Sequence, residues 1–180
     1  MTRSDGVAGP YYRRFRPEDP ESADREIEAL SEAISDQGRL SEAELMASHL
    51  DLASLLIQRD RELEALSHID AARGIAERLG DTDGLIEAYL NLGTAQQYLG
   101  ERDAAQESYQ QGLDLCESAQ RPAQAHFLLQ HRGRCFVEQG RVSEARTCFE
   151  EALATRMELG DERLIRSSAD ALAHLPDDAS

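Results

Sequence analysis

The sequence predicts an all-α solenoid: a right-handed superhelix of three helix pairs with a capping helix at each end. Three observations predict it. Small residues recur in columns every 40 positions, each period divides into two amphipathic segments, and turn residues recur at the breaks between them.

The first column is Ala65, Ala105 and Ala145, spaced 40 apart. Four residues after each alanine stands a large apolar residue, Ile69, Tyr109 and Phe149, and Ala72, Gly112 and Ala152 follow in the next column. Upstream, Ala53, Gly93, Gly133 and Ala173 form a second small column. Small residues at constant phase let one helix backbone lie against its neighbour. Within a period, Leu85–Leu99 and Ala104–Ala119 carry apolar residues at three- and four-residue spacing, the face of a helix. Gly100 and Gly140 fall between the helices of a pair, and Gly80, Gln120 and Gly160 near the ends of pairs, where glycine supplies a left-handed cap.

The expected organisation is a basic and aromatic tail over residues 1–20 and an N-terminal capping helix within 21–40. Three repeats follow at about 41–80, 81–120 and 121–160, then a capping helix over 162–174. The first cap is read from Ile27, Leu30 and Ile34 on one face of Ala23–Ser35. The second follows the first-helix columns through Leu164, Ala169, Leu172 and Ala173.

Composition narrows the function classes. With 41% hydrophobic and 30% charged residues in 180, the chain has the balance of a globular protein, and with 5% aromatics and no Trp its core must be Leu, Ile and Ala. The net charge is −16, and beyond residue 20 there are 15 Arg against 32 acids, which repels a phosphate backbone and argues against nucleic-acid and anionic-membrane partners. No apolar stretch approaches the roughly 20 residues of a membrane span. Cys116, Cys135 and Cys148 form no CxxC motif, so a reducing cytoplasm is expected, without disulfide framework or zinc site. His131 and Cys135, one turn apart, are too few to hold a metal. No phosphate loop, HExxH or nucleophile elbow is present, so neither an enzyme nor a cofactor is expected.

Tyr89-x2-Leu92-Gly93 followed by Ala105-x3-Tyr109 resembles the tetratricopeptide-repeat (TPR) signature, with Gln96 in place of the usual aromatic. The third repeat keeps Gly133, Phe136, Gly140, Ala145, Phe149 and Ala152 but has Arg132 where the motif has Leu, and the first has Ala53 for Gly. Leu79-Gly80-Asp81-Thr82-Asp83-Gly84 with Asn91-Leu92-Gly93 resembles the long-repeat type of Pins-type adaptors and kinesin light chains.

The resemblance implies a protein-protein interaction module, an adaptor or scaffold that binds a peptide or extended segment of a partner in the concave groove lined by first helices. Carried over by position, the groove residues are Asp51, Asn91 and His131 just before the Leu-Gly pair of the motif, and Ser54, Thr94 and Arg134 just after it. Leu50, Leu90 and Gln130 stand on one side, and Gln58, Tyr98 and Glu138 on the other. Asn91 is expected to bond a ligand's backbone, since a primary amide both donates and accepts. A carboxylate clamp for chaperone tails is not expected, because Leu50, Ser54, Phe127 and His131 occupy its other positions. The alternatives are a small chaperone for a secreted or signalling protein, similar to class II secretion chaperones, and a peptide-sensing or accessory regulator. Residues 9–17, rich in Arg and Tyr, read as a disordered tail or as a tethered ligand for the acidic body.

Overall fold

The computed structural model describes residues 16–36 and 38–176. Among them run eight helices and no strand: α1 (Pro20–Ser35), α2 (Glu42–Gln58), α3 (Glu62–Leu79), α4 (Thr82–Leu99), α5 (Arg102–Ser118), α6 (Pro122–Glu138), α7 (Val142–Leu159) and α8 (Glu162–Ala173).

The breaks follow one rule. Asp60, Gly80, Gly100, Gln120, Gly140 and Gly160, each 20 residues from the next, all have positive φ, between 55° and 88°. At five of them the following N–H reaches back to the last turn of the helix: Arg61 to Leu56 O, Asp81 to Ala76 O, Glu101 to Gln96 O, Arg121 to Cys116 O and Arg141 to Phe136 O, at 2.7–2.9 Å. This satisfies carbonyls that a helix end leaves without partners. Four of the six positions are glycine, which adopts positive φ without a Cβ clash. Asp60 and Gln120 adopt it without that freedom.

Helix starts are of two kinds, and α6, a first helix, starts without a side-chain cap as α3 and α7 do. The first helices α2 and α4, and the terminal helices α1 and α8, have side-chain N-caps: Ser41 with Glu44 in a capping box, Asp81, Asp19 and Asp161. The second helices α3 and α7 start without one, and there Arg61 pairs with Glu64 and Arg141 with Glu144, each at 2.8 Å. Helix α1 begins at Pro20 rather than near Ala23, because Asp19 caps it and Pro20 is preset for the first turn.

Contacts group the chain into two compact units that part within α5, between Gly112 and Leu113. In the first, α2 packs on α3, α3 on α4, and both α1 and α4 on α2. Its core holds Ile27, Leu52, Leu56, Ile69, Ala72 and Ile75. In the second, α6 packs on α7 and α7 on α8, around Leu129, Phe136, Val137 and Phe149. Arg132, where the motif has Leu, lies with its guanidinium 5.3 Å from the centre of the Phe136 ring, on which Arg141 also stacks at 4.4 Å.

Candidate partner-binding faces

In the first unit the faces of α2 and α4 carry eight of the expected groove residues. Asp51 is exposed, and Ser54, Leu90 and Tyr98 are half-buried. Three others are placed differently from the expectation. Leu50 is buried at 3% exposure among core residues, since α1 and α4 both close on α2 and a leucine there gains by leaving water. Asn91, expected to bond a ligand, is 8% exposed and its Nδ2 donates to Leu50 O at 3.3 Å, tying α4 to α2. Thr94 is also buried, and its hydroxyl donates to Leu90 O within its own helix at 2.7 Å. Gln58, beside them, donates to Ser54 Oγ at 3.3 Å.

The charge of this face is acidic. Partial loss of water, and then the nearby carboxylate of Asp51, push the Glu87 carboxyl above its ordinary range.

In the second unit the corresponding residues of α6 meet α8. Gln130 is buried and its Oε1 accepts from Ser168 Oγ at 2.7 Å and from Arg156 Nη1 at 3.0 Å. Arg156, 2% exposed, also donates through Nη1 to Ser168 Oγ and Leu164 O, and through Nε to His126 Nδ1 at 3.1 Å. This buried network holds α6, α7 and α8 together. Burial lowers the Arg156 pKa to about 10, so the guanidinium stays charged at neutral pH. His131 is pushed down to about 3 by burial first, then by Arg134 and Arg156, so it is a neutral imidazole. Arg134 and Glu138 are half-buried, and Phe127 is exposed, its ring 3.9 Å from that of His126.

A cavity of about 390 Å³ opens between α6 and α8, lined by Gln130, Arg134, Arg163, Arg166, Ser167 and Asp170. The α8 arginines were not among the sequence-expected site residues. Their helix reads as a cap, and nothing in a linear pattern shows that it turns basic residues toward Arg134.

Another pairing that sequence reasoning missed lies between α2 and α3, where His49 and His68 share a hydrogen bond between their Nδ1 atoms at 2.9 Å. Burial lowers both pKa values. Among the described residues no three His, Cys, Asp or Glu side chains gather as a metal site. The three cysteines are buried and free, and burial pushes Cys148 up to about 11. The segment 9–17 lies outside the described residues except for Arg16 and Pro17. Arg16 Nη2 donates to Asp60 Oδ1 at 3.1 Å. Among the described residues no helix is long and apolar enough to cross a membrane.

Paired helices on a 40-residue spacing, with polar first-helix faces over buried small-residue columns, define a helical-repeat protein. Residues 44–118 match the family model "Tetratricopeptide repeat". A similar solved structure is the crystal structure of BtubC (BKLC) from P. vanneervenii, with a TM-score of 0.66 and 21% sequence identity. The alignment covers 92% of this chain and 65% of that one, so this chain spans less than two thirds of the other's length. No curated protein gives a match.

Proposed function

We propose that the chain is a protein-protein interaction module, an adaptor whose first-helix faces hold an extended segment of a partner protein. Tetratricopeptide repeats generally mediate contacts between proteins, and the match covers the first helices α2 and α4. The observation that carries the reading is the contrast on those helices. Their apolar columns are buried, whereas Asp51, Ser54 and Leu90 keep accessible surface, as does Tyr98, whose ring also packs against the core. On α6, Arg134 and Glu138 do the same. Tyr and Arg are common anchors of such interfaces.

The 40-residue spacing of the left-handed breaks supports a likeness to long-repeat adaptors of the Pins and kinesin light chain type. Three buried thiols without a disulfide support a reducing compartment, the cytoplasm. The reading assigns no catalytic step to the chain.

Asn91 is a poor probe, because its amide bridges two helices and its loss would disturb packing. Tyr98→Ala and Arg134→Ala are better, with Glu107→Arg on α5 as the control. After affinity capture identifies a partner, its recovery should fall in both variants at a temperature well below the melting of each, which is measured because the Tyr98 ring also packs against the core. Recovery that survives both but is abolished by Glu107→Arg would place recognition on the outer surface and overturn the proposal.

A further inference from the structure

We propose that the cavity between α6 and α8 binds acidic side chains of a peptide, with Arg163 and Arg166 as the residues that grip their carboxylates. This deepens the interaction reading above and rests on it.

The first observation is a mismatch between local and global charge. The chain has 35 acids and 19 arginines, so an arginine here is surrounded by possible carboxylate partners. Several find one: Arg39 pairs with Asp36, Arg59 with Asp24, Arg61 with Glu64, Arg78 with Glu42 and Arg141 with Glu144. The guanidiniums of Arg163 and Arg166 make no hydrogen bond or ion pair among the described residues, although Asp170 stands one turn beyond Arg166. They are three residues apart on α8, neighbours on one helix surface, and both line the cavity that Arg134 enters from α6.

The second observation is the rigidity of the cavity's floor. Gln130 cannot swing, because Ser168 and Arg156 both bond its carbonyl oxygen, and Ser168 lies beside Ser167 on α8. The network therefore sets the distance between the α6 and α8 walls before a ligand arrives, which lowers the ordering cost of binding.

The chemistry favours a peptide carboxylate over other anions. A guanidinium presents two parallel N–H donors that match a carboxylate. Arg163 and Arg166 against Asp170 leave the α8 side of the lining with a modest positive balance. That small balance suits a singly charged carboxylate better than a doubly charged phosphate, while the −16 body repels long anionic chains of either kind. Ser167 and Asp170 also offer acceptors at the rim for the backbone N–H groups of a peptide, which a free anion lacks.

The test uses the full chain and a fluorescein-labelled hexaglutamate peptide at low salt, read by anisotropy. Binding should weaken about tenfold or more in Arg163→Gln/Arg166→Gln and stay unchanged in Arg146→Gln, a control on exposed Arg146 outside the cavity. Hexaglutamine should not bind. An equal loss in Arg146→Gln would reduce the effect to diffuse attraction and overturn the proposal. So would equal binding of hexaglutamine, displacement by inorganic phosphate as effective as by hexaglutamate, or tighter binding of a hexaphosphoserine peptide. Should the double variant melt early, arginine side-chain NMR of the wild type decides: hexaglutamate must shift the Nε–H signals of Arg163 and Arg166 and leave that of Arg146. No hexaglutamate binding, with partner recovery still dependent on Tyr98, removes the acidic ligand and leaves the interaction module standing. Hexaglutamate binding without any dependence of partner recovery on Tyr98 or Arg134 does the reverse.

Discussion

Gly93 lies against the ring of Tyr109 so closely that a Cβ at position 93 would stand 2.5 Å from Tyr109 Cε1. Gly133 repeats the relationship with Phe149, at 2.6 Å from Cε1. Both rings are fully buried, and Tyr109 is further held by donating to Gln97 Oε1 at 2.9 Å.

Gly93→Ala and Gly133→Ala should each destabilise by about 1–3 kcal/mol, the usual cost of overpacking a tight core contact. Gly84→Ala is the internal comparison. Its Cβ would meet the Met46 thioether at 2.7 Å, but a methionine side chain can swing aside, so its loss should be smaller. Urea denaturation of the three variants checks the order; equal losses would show that ring rigidity is not what makes Gly93 and Gly133 costly to replace.

Gln120→Gly should stabilise. Gln120 holds φ 55°, a conformation that costs a side-chain-bearing residue roughly 1–2 kcal/mol, and glycine removes most of that strain. Its greater freedom in the unfolded chain offsets part of the gain, so a net increase of about 0.5–1 kcal/mol is expected. The mirror experiment, Gly100→Ala at φ 88°, should destabilise. A lower melting temperature for Gln120→Gly would contradict the account.

Arg156→Leu should cost about 2–4 kcal/mol, because it leaves Gln130, His126 and Ser168 buried without the donor they share. Adding Ser168→Ala should recover part of the loss by removing one stranded hydroxyl. Arg156→Lys should not rescue, since a single ammonium cannot reach positions served by Nε and Nη1 together. Thermal unfolding of the three variants decides, and an Arg156→Leu loss below about 1 kcal/mol would mean that the network does not hold α8.

Stability should fall as the pH drops below about 6.5. His49, His68, His126 and His131 all have folded pKa values below the ordinary histidine value, His131 at about 3. The unfolded chain therefore takes up protons first, near pH 6.5, and the stability contributed by neutral native imidazoles is lost progressively toward the folded values. Asp24, Glu44, Glu64 and Glu144, whose pKa values are lowered, add their loss only below the ordinary carboxylate range. Glu87, raised, acts in the opposite sense near that range. Between pH 6.5 and 5 the slope belongs to the histidines, and His131→Gln should flatten it in urea titrations at stepped pH.

The sequence by itself determined the helices, their pairing and their breaks. Apolar spacing, small columns and turn residues are local or periodic signals, and each reports backbone geometry that any neighbouring repeat must satisfy. Even Gln120, not a glycine, was legible as a break from its 20-residue spacing. Only the tertiary structure decided which polar groove positions face solvent. Asn91 and Thr94 share their columns with Asp51 and Ser54, yet they are spent on Leu50 and Leu90 carbonyls, because their burial depends on how neighbouring helices close over them. The basic cavity was hidden for the same reason: Arg134 is far in sequence from Arg163 and Arg166 in a chain of net charge −16, and only the packing of α8 on α7, with Ser168 bonded to Gln130, brings them to one cavity. Periodicity carries backbone geometry, whereas side-chain accessibility depends on contacts between residues that the sequence keeps apart.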